Sequence, residues 1–254
     1  MKHTESRRIG ILGTGHIGKT LARQLASAGH SVKVANSRGP ETIAADVLET
    51  GAVATDAATA LRDVQWVILS VPLSRIASLA SLIRELPEEV IIADTSNYYP
   101  HRHGTLDAIV DGQVESLWVA ETLGRPIVKA WNAIGSDSLV KKALPPGSLN
   151  RLAIPVAGDL ADHRQAIMQL VNDSGFDPYD AGSLAESWRQ QPGAPCYCTD
   201  LTRDEMGAAL ASAELSRLPA RRDIAVAAIQ ERMGDNKSNP DADYLVGLHR
   251  VLFM

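Results

Sequence analysis

The residues able to do chemistry gather first in the segment "GTGHIG". Gly13, Gly15 and Gly18 stand in the pattern G-x-G-x-x-G, directly after the apolar run "RIGIL" (Arg8 to Leu12). Behind them Ile17, Leu21, Leu25 and Ala28 recur at helical spacing, and Gly29 offers a stop. Between a buried strand and a helix, the first glycine permits a tight turn, the second lets backbone approach a pyrophosphate, and the third lets helix and strand pack closely. Phosphates there face free N–H groups and the positive end of the helix dipole. The pattern predicts a dinucleotide site built from Gly13, Thr14, Gly15, His16, Ile17 and Gly18. Thr14 and His16 can add side-chain donors, although His16 stands equally well as a partly exposed loop residue.

The segment after the second apolar run, "SVKVANSRGPET", sharpens this. Folds that bind NAD usually end their second strand on a carboxylate that accepts from the adenosine ribose 2′-OH, whereas an arginine accommodates a 2′-phosphate. Here Asn36, Ser37 and Arg38 hold that place, and no acid does. A hydroxyl and a planar guanidinium fork suit phosphate oxygens. The expected ligand is therefore NADP(H), with Asn36, Ser37 and Arg38 at its 2′-phosphate. The plainer reading is a solvated arginine on the turn that Gly39-Pro40 imposes.

The elements that must position these residues alternate along the chain. After the second strand come a helix over Pro40 to Glu49, a short strand at Val53-Ala54, and a helix capped by Asp56. "WVILSV" follows as a buried strand, then a helix over Leu73 to Leu86. "EVIIAD", "PIVKAW" and "LAIPVAG" read as three further strands, with a helix over Leu160 to Asn172 and an extended piece over Phe176 to Asp180. Strands alternating with helices predict a doubly wound, Rossmann-type, mostly parallel α/β sheet. Its ligands bind beyond the carboxyl ends of the strands. That places Val71, Pro72 and Leu73 at the cofactor's border. Ser96 and Asn97 follow beside the ribose or nicotinamide, and Asn132, Ala133 and Ile134 by the nicotinamide. From Ser183 the texture changes to a polar, Pro/Gly-rich stretch, then two alanine-rich helical patterns divided at Pro219. Residues 1–182 read as the dinucleotide-binding domain and 183–254 as a small, mainly helical C-terminal lobe. In its second long helix Ile224, Ala227, Ala228 and Ile229 supply the apolar stripe.

Composition sets limits. The 254 residues carry a net charge of −5, with 45% hydrophobic and 22% charged residues. These values suit a globular core and give no basic excess for nucleic acid. No apolar run approaches the roughly 18 residues of a membrane span, and the first residues lack the apolar segment of a signal peptide. Two cysteines, Cys196 and Cys198, form neither a disulfide framework nor a zinc pattern. A cytoplasmic protein without nucleic-acid or membrane partners is expected. No metal site is expected either: His101 and His103 share one loop without an evident third ligand.

"ILGTGHIG", "VANSRGP", "LSVPL", "DTSNYYP", "VKAWNAIG", "PVAGD" and "DAGSLAESWRQQPG" occur in one order. In this the chain resembles the F420-dependent NADP oxidoreductases and their NADPH-binding relatives over nearly its whole length. The resemblance implies a Rossmann domain, a small C-terminal lobe, a homodimer, and a cleft where hydride passes between NADP(H) and a deazaflavin (F420) or flavin. Two positions depart from it. Archaeal members carry a histidine where Asn132 stands. Some members have a second basic residue where Thr42 stands, which leaves Arg38 as the main cation for the 2′-phosphate.

Other chemistries are less well served. None of the five tyrosines has a lysine four residues on, as a Tyr-x-x-x-Lys carbonyl reductase would need. Asn132 and Lys129 are the candidate catalytic residues, Lys129 standing equally well as the partner of a buried carboxylate. Trp188 and Gln191, with Arg189 and Gln190 between them, either line the substrate side or pack the lobe junction. The alternatives to a deazaflavin- or flavin-linked enzyme are an NADPH-dependent reductase of a small carbonyl or imine, and a non-catalytic NADPH-binding sensor or interaction protein.

Overall fold

The computed structural model describes residues 6–234 and 239–254. Its centre is a six-stranded parallel sheet made of β1 (Arg8–Leu12), β2 (Ser31–Ala35), β3 (Val53–Ala54), β4 (Trp66–Leu69), β5 (Ile91–Asp94) and β6 (Val128–Lys129), in the spatial order β3-β2-β1-β4-β5-β6. Sequence order reverses between β1 and β4, so the crevice at their carboxyl ends is where such a sheet takes its ligand. Leu12 pairs with Ala35 on one side and Leu69 on the other. These strands are apolar because helices cover both faces. One core packs Ile9, Ile11, Val32 and Val34 against Leu21 and Leu25 of α1 (His16–Ser27). The opposite core packs Leu12, Val67, Leu69 and Ile92 against helices that follow β4 and β5.

The connection after β2 is not the single helix that the sequence predicts. A 3-10 turn, Pro40–Thr42, is followed by an extended Ile43 and a short α2 (Ala45–Leu48). Thr42 Oγ1 donates back to the Gly39 carbonyl, and Ile43 dives into the core. Asp56 caps α3 (Ala57–Ala60), its carboxylate accepting from the Thr59 amide. After β4 a 3-10 turn at Leu73–Arg75 precedes α4 (Ile76–Arg84). Between β5 and β6 lie α5 (Pro100–His103), α6 (Asp107–Val110) and α7 (Glu115–Leu123), which the periodicity does not reveal. α8 (Ser136–Lys141) leads from β6 toward β7 (Ala153–Val156).

β7 does not extend the large sheet as a parallel seventh strand. It pairs in parallel with β8 (Asp177–Asp180) in a separate two-stranded sheet, across α9 (Ala161–Asp173), and meets β6 only through an antiparallel bridge from Lys129 to Ala157. A 3-10 segment, Leu184–Gln190, crosses into the lobe, yet Leu184 is buried in the sheet's own core, so packing runs across the junction at 182. α10 (Arg203–Ala211) starts on a Thr202–Glu205 capping box and packs on the small sheet through Met206 and Leu210. α11 (Leu218–Met233) and α12 (Ala242–Phe253) form the rest of the lobe. The break between helical stretches falls at Ser212–Arg217 rather than at Pro219. Proline occupies the first turn of α11, where its missing N–H costs nothing. Ile224 is half exposed and Ala225 is buried in its place, while Ile229 of the expected stripe does face inward, onto the cleft.

Candidate functional site

The glycine turn shows three different constraints. Gly13 has φ +108°, and a Cβ there would lie 2.0 Å from the Ser70 carbonyl oxygen on the neighbouring strand. A Cβ on Gly18 would lie 2.0 Å from the Gly13 carbonyl oxygen. These two glycines let the helix start tightly against β1 and β4. Gly15 has an ordinary φ of −69°, and a Cβ there would meet nothing within 4 Å. Its space opens on the cleft, so the fold does not need glycine there, whereas an approaching ligand does. Gly15, His16 and Ile17 line that cleft at the amino end of α1, whose first turn has no capping side chain and no acid. His16 is exposed, and its backbone carbonyl accepts from Thr20.

At the end of β2, Asn36 organises the turn. Its Nδ2 donates to Thr42 Oγ1 at 2.9 Å and to Thr14 Oγ1 at 3.3 Å, and its Oδ1 accepts from the Arg38 amide at 2.8 Å. The amide therefore joins the glycine turn to the segment carrying Ser37 and Arg38, and both of these point to solvent. The Arg38 guanidinium has no partner among the described residues. Thr42 serves as part of this turn. The sequence pattern marks Asn36 as a possible ligand contact; the structure gives its amide a positioning role.

The cleft itself holds about 460 Å³ and runs along the carboxyl ends of β1, β4, β5 and β6 to the lobe. Val71 and Pro72 border it; Leu73 reaches it as well, although its side chain is fully buried in the core. The floor is a network of amides. Asn132 Nδ2 donates to Asn97 Oδ1 at 3.1 Å and to the Gln190 carbonyl at 2.8 Å, while Asn132 Oδ1 accepts from Gln190 Nε2 at 2.8 Å. Asn97 Nδ2 donates to the Asn132 carbonyl at 2.9 Å. Asn97, Asn132 and Ile134 line the cleft. The buried Trp131 just before them has φ +55°, which turns the chain out of β6 so that Asn132 faces the opening.

Lys129 lies elsewhere. It is fully buried, pairs with Asp94 on the adjacent strand, and donates to the Ser96 carbonyl at 2.6 Å. Neither Lys129 nor Asp94 lines the cleft. The register sets Lys129 beside Asp94 at the carboxyl ends of β6 and β5, and its ammonium is held by Asp94 and the Ser96 carbonyl. Beside this pair Glu115 accepts from the Tyr98 amide at 2.9 Å, and burial pushes its carboxyl up to about 7, against the opposing pull of Lys129.

The far wall comes from the lobe and holds groups that the sequence pattern does not single out. Tyr99 and Tyr197, both lining the cleft, bring their hydroxyls within 2.7 Å of each other. Burial raises both phenols well above their ordinary value, which keeps them neutral. His249, also on the wall, touches the Tyr197 carbonyl at 3.2 Å, and burial pulls its imidazole down to about 4. Tyr99 and Tyr197 are 98 positions apart, so no local signal joins them. Ala133, Trp188 and Gln191 are not among the residues lining the cleft. Ala133 packs in the lobe core, where its carbonyl accepts from the Cys198 amide. Trp188 carries the Arg189 guanidinium on its face, and Gln191 is buried. The lobe's buried chains take these positions because each has an apolar surface to cover or a backbone group to satisfy. Cys196 is buried, its thiol donating to the Arg189 carbonyl.

Among the described residues no group of three or more His, Cys, Asp or Glu side chains could hold a metal ion. No described helix is long and apolar enough to cross a membrane.

In comparison with known proteins, residues 8–98 match the family described as NADP oxidoreductase, coenzyme F420-dependent. The chain is 29% identical over 188 residues to the metalloreductase STEAP3 of Rattus norvegicus, a match covering 72% of this chain and 35% of that one. The chain spans less than half the length of the curated relatives it matches. Among solved structures, it is 28% identical to the hypothetical protein SMa0349 of Sinorhizobium meliloti, with a TM-score of 0.67, covering 77% of this chain and 95% of that one. A protein of Arthrobacter sp. FB24 proposed as an F420-dependent NADP-reductase shares the fold, at 20% identity and a TM-score of 0.60, over 93% of this chain and 99% of that one.

Proposed function

We propose that this chain, which through residues 8–98 belongs to the F420-dependent NADP oxidoreductase family, binds NADP(H) and passes a hydride between it and a flat, redox-active ring, a deazaflavin or a flavin. The observation that carries the reading is the glycine turn. Gly13 and Gly18 are held by backbone contacts of 2.0 Å to any added Cβ, while Gly15 faces empty space at the mouth of α1. A group outside the protein accounts for the second glycine, and a pyrophosphate fits the N–H groups and dipole there.

Ser37 and the free Arg38 guanidinium stand at the end of β2, where the ribose of a dinucleotide reaches. They are suited to a 2′-phosphate. Bound NADPH supplies the hydride. The chain's own part is to hold and orient: Asn97 and Asn132 offer an amide floor to a carboxamide, and Val71 and Pro72 border the ring's place. Orientation of two reactants alone removes a large part of a bimolecular barrier. Lys129 takes no role in this chemistry, being sealed against Asp94.

A second reading has one observation in its favour. The paired hydroxyls of Tyr99 and Tyr197 on the cleft wall are neutral donors, which a carbonyl or imine substrate would need as its charge develops. A flavin or deazaflavin delocalises that charge and can take its proton from water. NADPH oxidation against F420, FMN, FAD and panels of aldehydes, ketones and imines separates the two. Turnover of the ring acceptors that survives Tyr99→Phe/Tyr197→Phe supports the first reading. Turnover of carbonyls or imines alone, lost in that double variant, supports the second. NADPH binding without oxidation by any acceptor would leave the non-catalytic binding protein.

A further inference from the structure

Resting on the reading of the cleft as an NADP(H) site, we propose that Gln190 is a positioning residue for the nicotinamide. It holds the Asn132 amide, and through that amide it leaves one N–H of Asn97 aimed to receive the carboxamide oxygen. Gln190 is fully buried at the end of the 3-10 segment that crosses into the lobe, and it is not among the residues lining the cleft. Its main chain and side chain grip Asn132 from both ends. The Gln190 carbonyl accepts from Asn132 Nδ2 and Gln190 Nε2 donates to Asn132 Oδ1, each at 2.8 Å.

Two main-chain carbonyls fix which way every amide points. A carbonyl only accepts, so the Gln190 carbonyl requires Nδ2 of Asn132 beside it. The Asn132 carbonyl likewise requires Nδ2 of Asn97, at 2.9 Å. Asn132 Oδ1 then faces Gln190, whose amide must present its nitrogen. Asn132 gives one N–H to the Gln190 carbonyl and the other to Asn97 Oδ1, so it has no donor left for a ligand. Asn97 has one. Its Nδ2 donates once, to the Asn132 carbonyl, and its second N–H has no partner among the described residues, although Asn97 lines the cleft. An imidazole at position 132 carries no atom with two N–H groups, so the arrangement is specific to the asparagine.

Stability does not account for the clamp. Gln190 Oε1 is buried and has no partner among the described residues, and Nε2 has besides Asn132 only a long contact of 3.4 Å to the Pro155 carbonyl. A buried acceptor without a donor costs stability. Methionine has a similar length and shape. It would remove that orphaned oxygen and leave Asn132 Oδ1 without its donor instead, so the fold would gain and lose about equally. Methionine cannot hold the Asn132 amide against rotation, and the direction of the free Asn97 N–H depends on that amide.

Calorimetric titrations with NADP⁺, its thionicotinamide analogue and adenosine 2′,5′-bisphosphate test this. The analogue replaces the carboxamide oxygen by sulfur, a weak acceptor, and the bisphosphate lacks the nicotinamide altogether. Wild type should bind NADP⁺ roughly 3- to 10-fold more tightly than the analogue, the range for one neutral hydrogen bond. In Gln190→Met that preference should disappear through a loss of NADP⁺ affinity, while the bisphosphate binds as before and the ligand-free melting temperature stays nearly unchanged. Gln190→Asn, whose amide is one methylene too short to span to Asn132, should behave alike and serves if the methionine variant does not fold. Equal wild-type affinity for NADP⁺ and the analogue overturns the proposal, as does a variant that keeps the preference. A variant that loses the bisphosphate as well has a general defect and also overturns it. A wild-type protein that binds neither NADP⁺ nor the bisphosphate sinks the reading of the cleft itself, whereas one that binds both without the preference sinks only the role of Gln190.

Discussion

Arg38 is exposed, and its guanidinium has no partner among the described residues, so the fold does not depend on it. Its removal should be felt by one ligand only. A lost charge-assisted hydrogen bond costs about 1.5–3 kcal/mol, so Arg38→Ala should weaken NADPH binding roughly 10- to 100-fold and barely change NADH binding. Calorimetric titration with both dinucleotides checks this, and equal losses would remove Arg38 from the 2′-phosphate. The glycines separate in the same manner. Gly15→Val adds a side chain in open space at an ordinary φ. It should abolish NADPH binding and leave the ligand-free melting temperature nearly unchanged. Gly18→Ala drives a methyl into the Gly13 carbonyl and should lower that melting temperature before any ligand is added. Thermal scans with and without NADPH tell the two variants apart.

Pairs of elements hold the next level. β5 and β6 are joined at their carboxyl ends by Asp94 and Lys129, both fully buried. Lys129→Met would strand a buried carboxylate, a loss of about 3–5 kcal/mol, and Asp94→Asn in the same chain should recover much of it. Urea unfolding measures both. The protein that remains folded should turn over at the wild-type rate with saturating NADPH, since Lys129 is fully buried and does not line the cleft. Glu115 ties α7 to the loop after β5 by accepting from the Tyr98 amide. Burial lifts its carboxyl from an ordinary 4.5 to about 7. Between these values the folded state binds more protons than the unfolded one, so this group makes stability fall as pH rises from about 4.5 to about 7. Glu115→Gln keeps the acceptor and removes the titration. Its stability relative to wild type should therefore improve between pH 5 and pH 8. Urea unfolding at both pH values is the check, and a relative stability independent of pH would refute the shift.

For the whole molecule, the cleft lies between sheet and lobe, and a ligand that fills it adds contacts on both sides. NADPH at 100 times its dissociation constant should stabilise the protein by about 2.7 kcal/mol. In a protein of this size that is roughly 5–10 °C in melting temperature. NADH at the same concentration should give less, and Gly15→Val should show no shift with either. A thermal scan in which NADH stabilises as much as NADPH would count against the preference at β2.

The strand–turn–helix unit and the doubly wound parallel sheet were legible from the residues alone. The turn rests on requirements within a few residues, a positive φ at Gly13 and a close approach at Gly18. The lobe's existence was legible as well, from the change of texture at Ser183. Where the chain's direction depended on distant partners, the pattern was silent. β7 and β8 form their own sheet, and no period encodes that separation. Lys129 was legible as a strand residue, but alternation along a strand leaves two faces open. Only the register of β6 on β5 decided that its ammonium pairs with Asp94. The Tyr99–Tyr197 pair joins residues 98 positions apart in the chain. Their proximity is set by long-range packing, which local propensity cannot report.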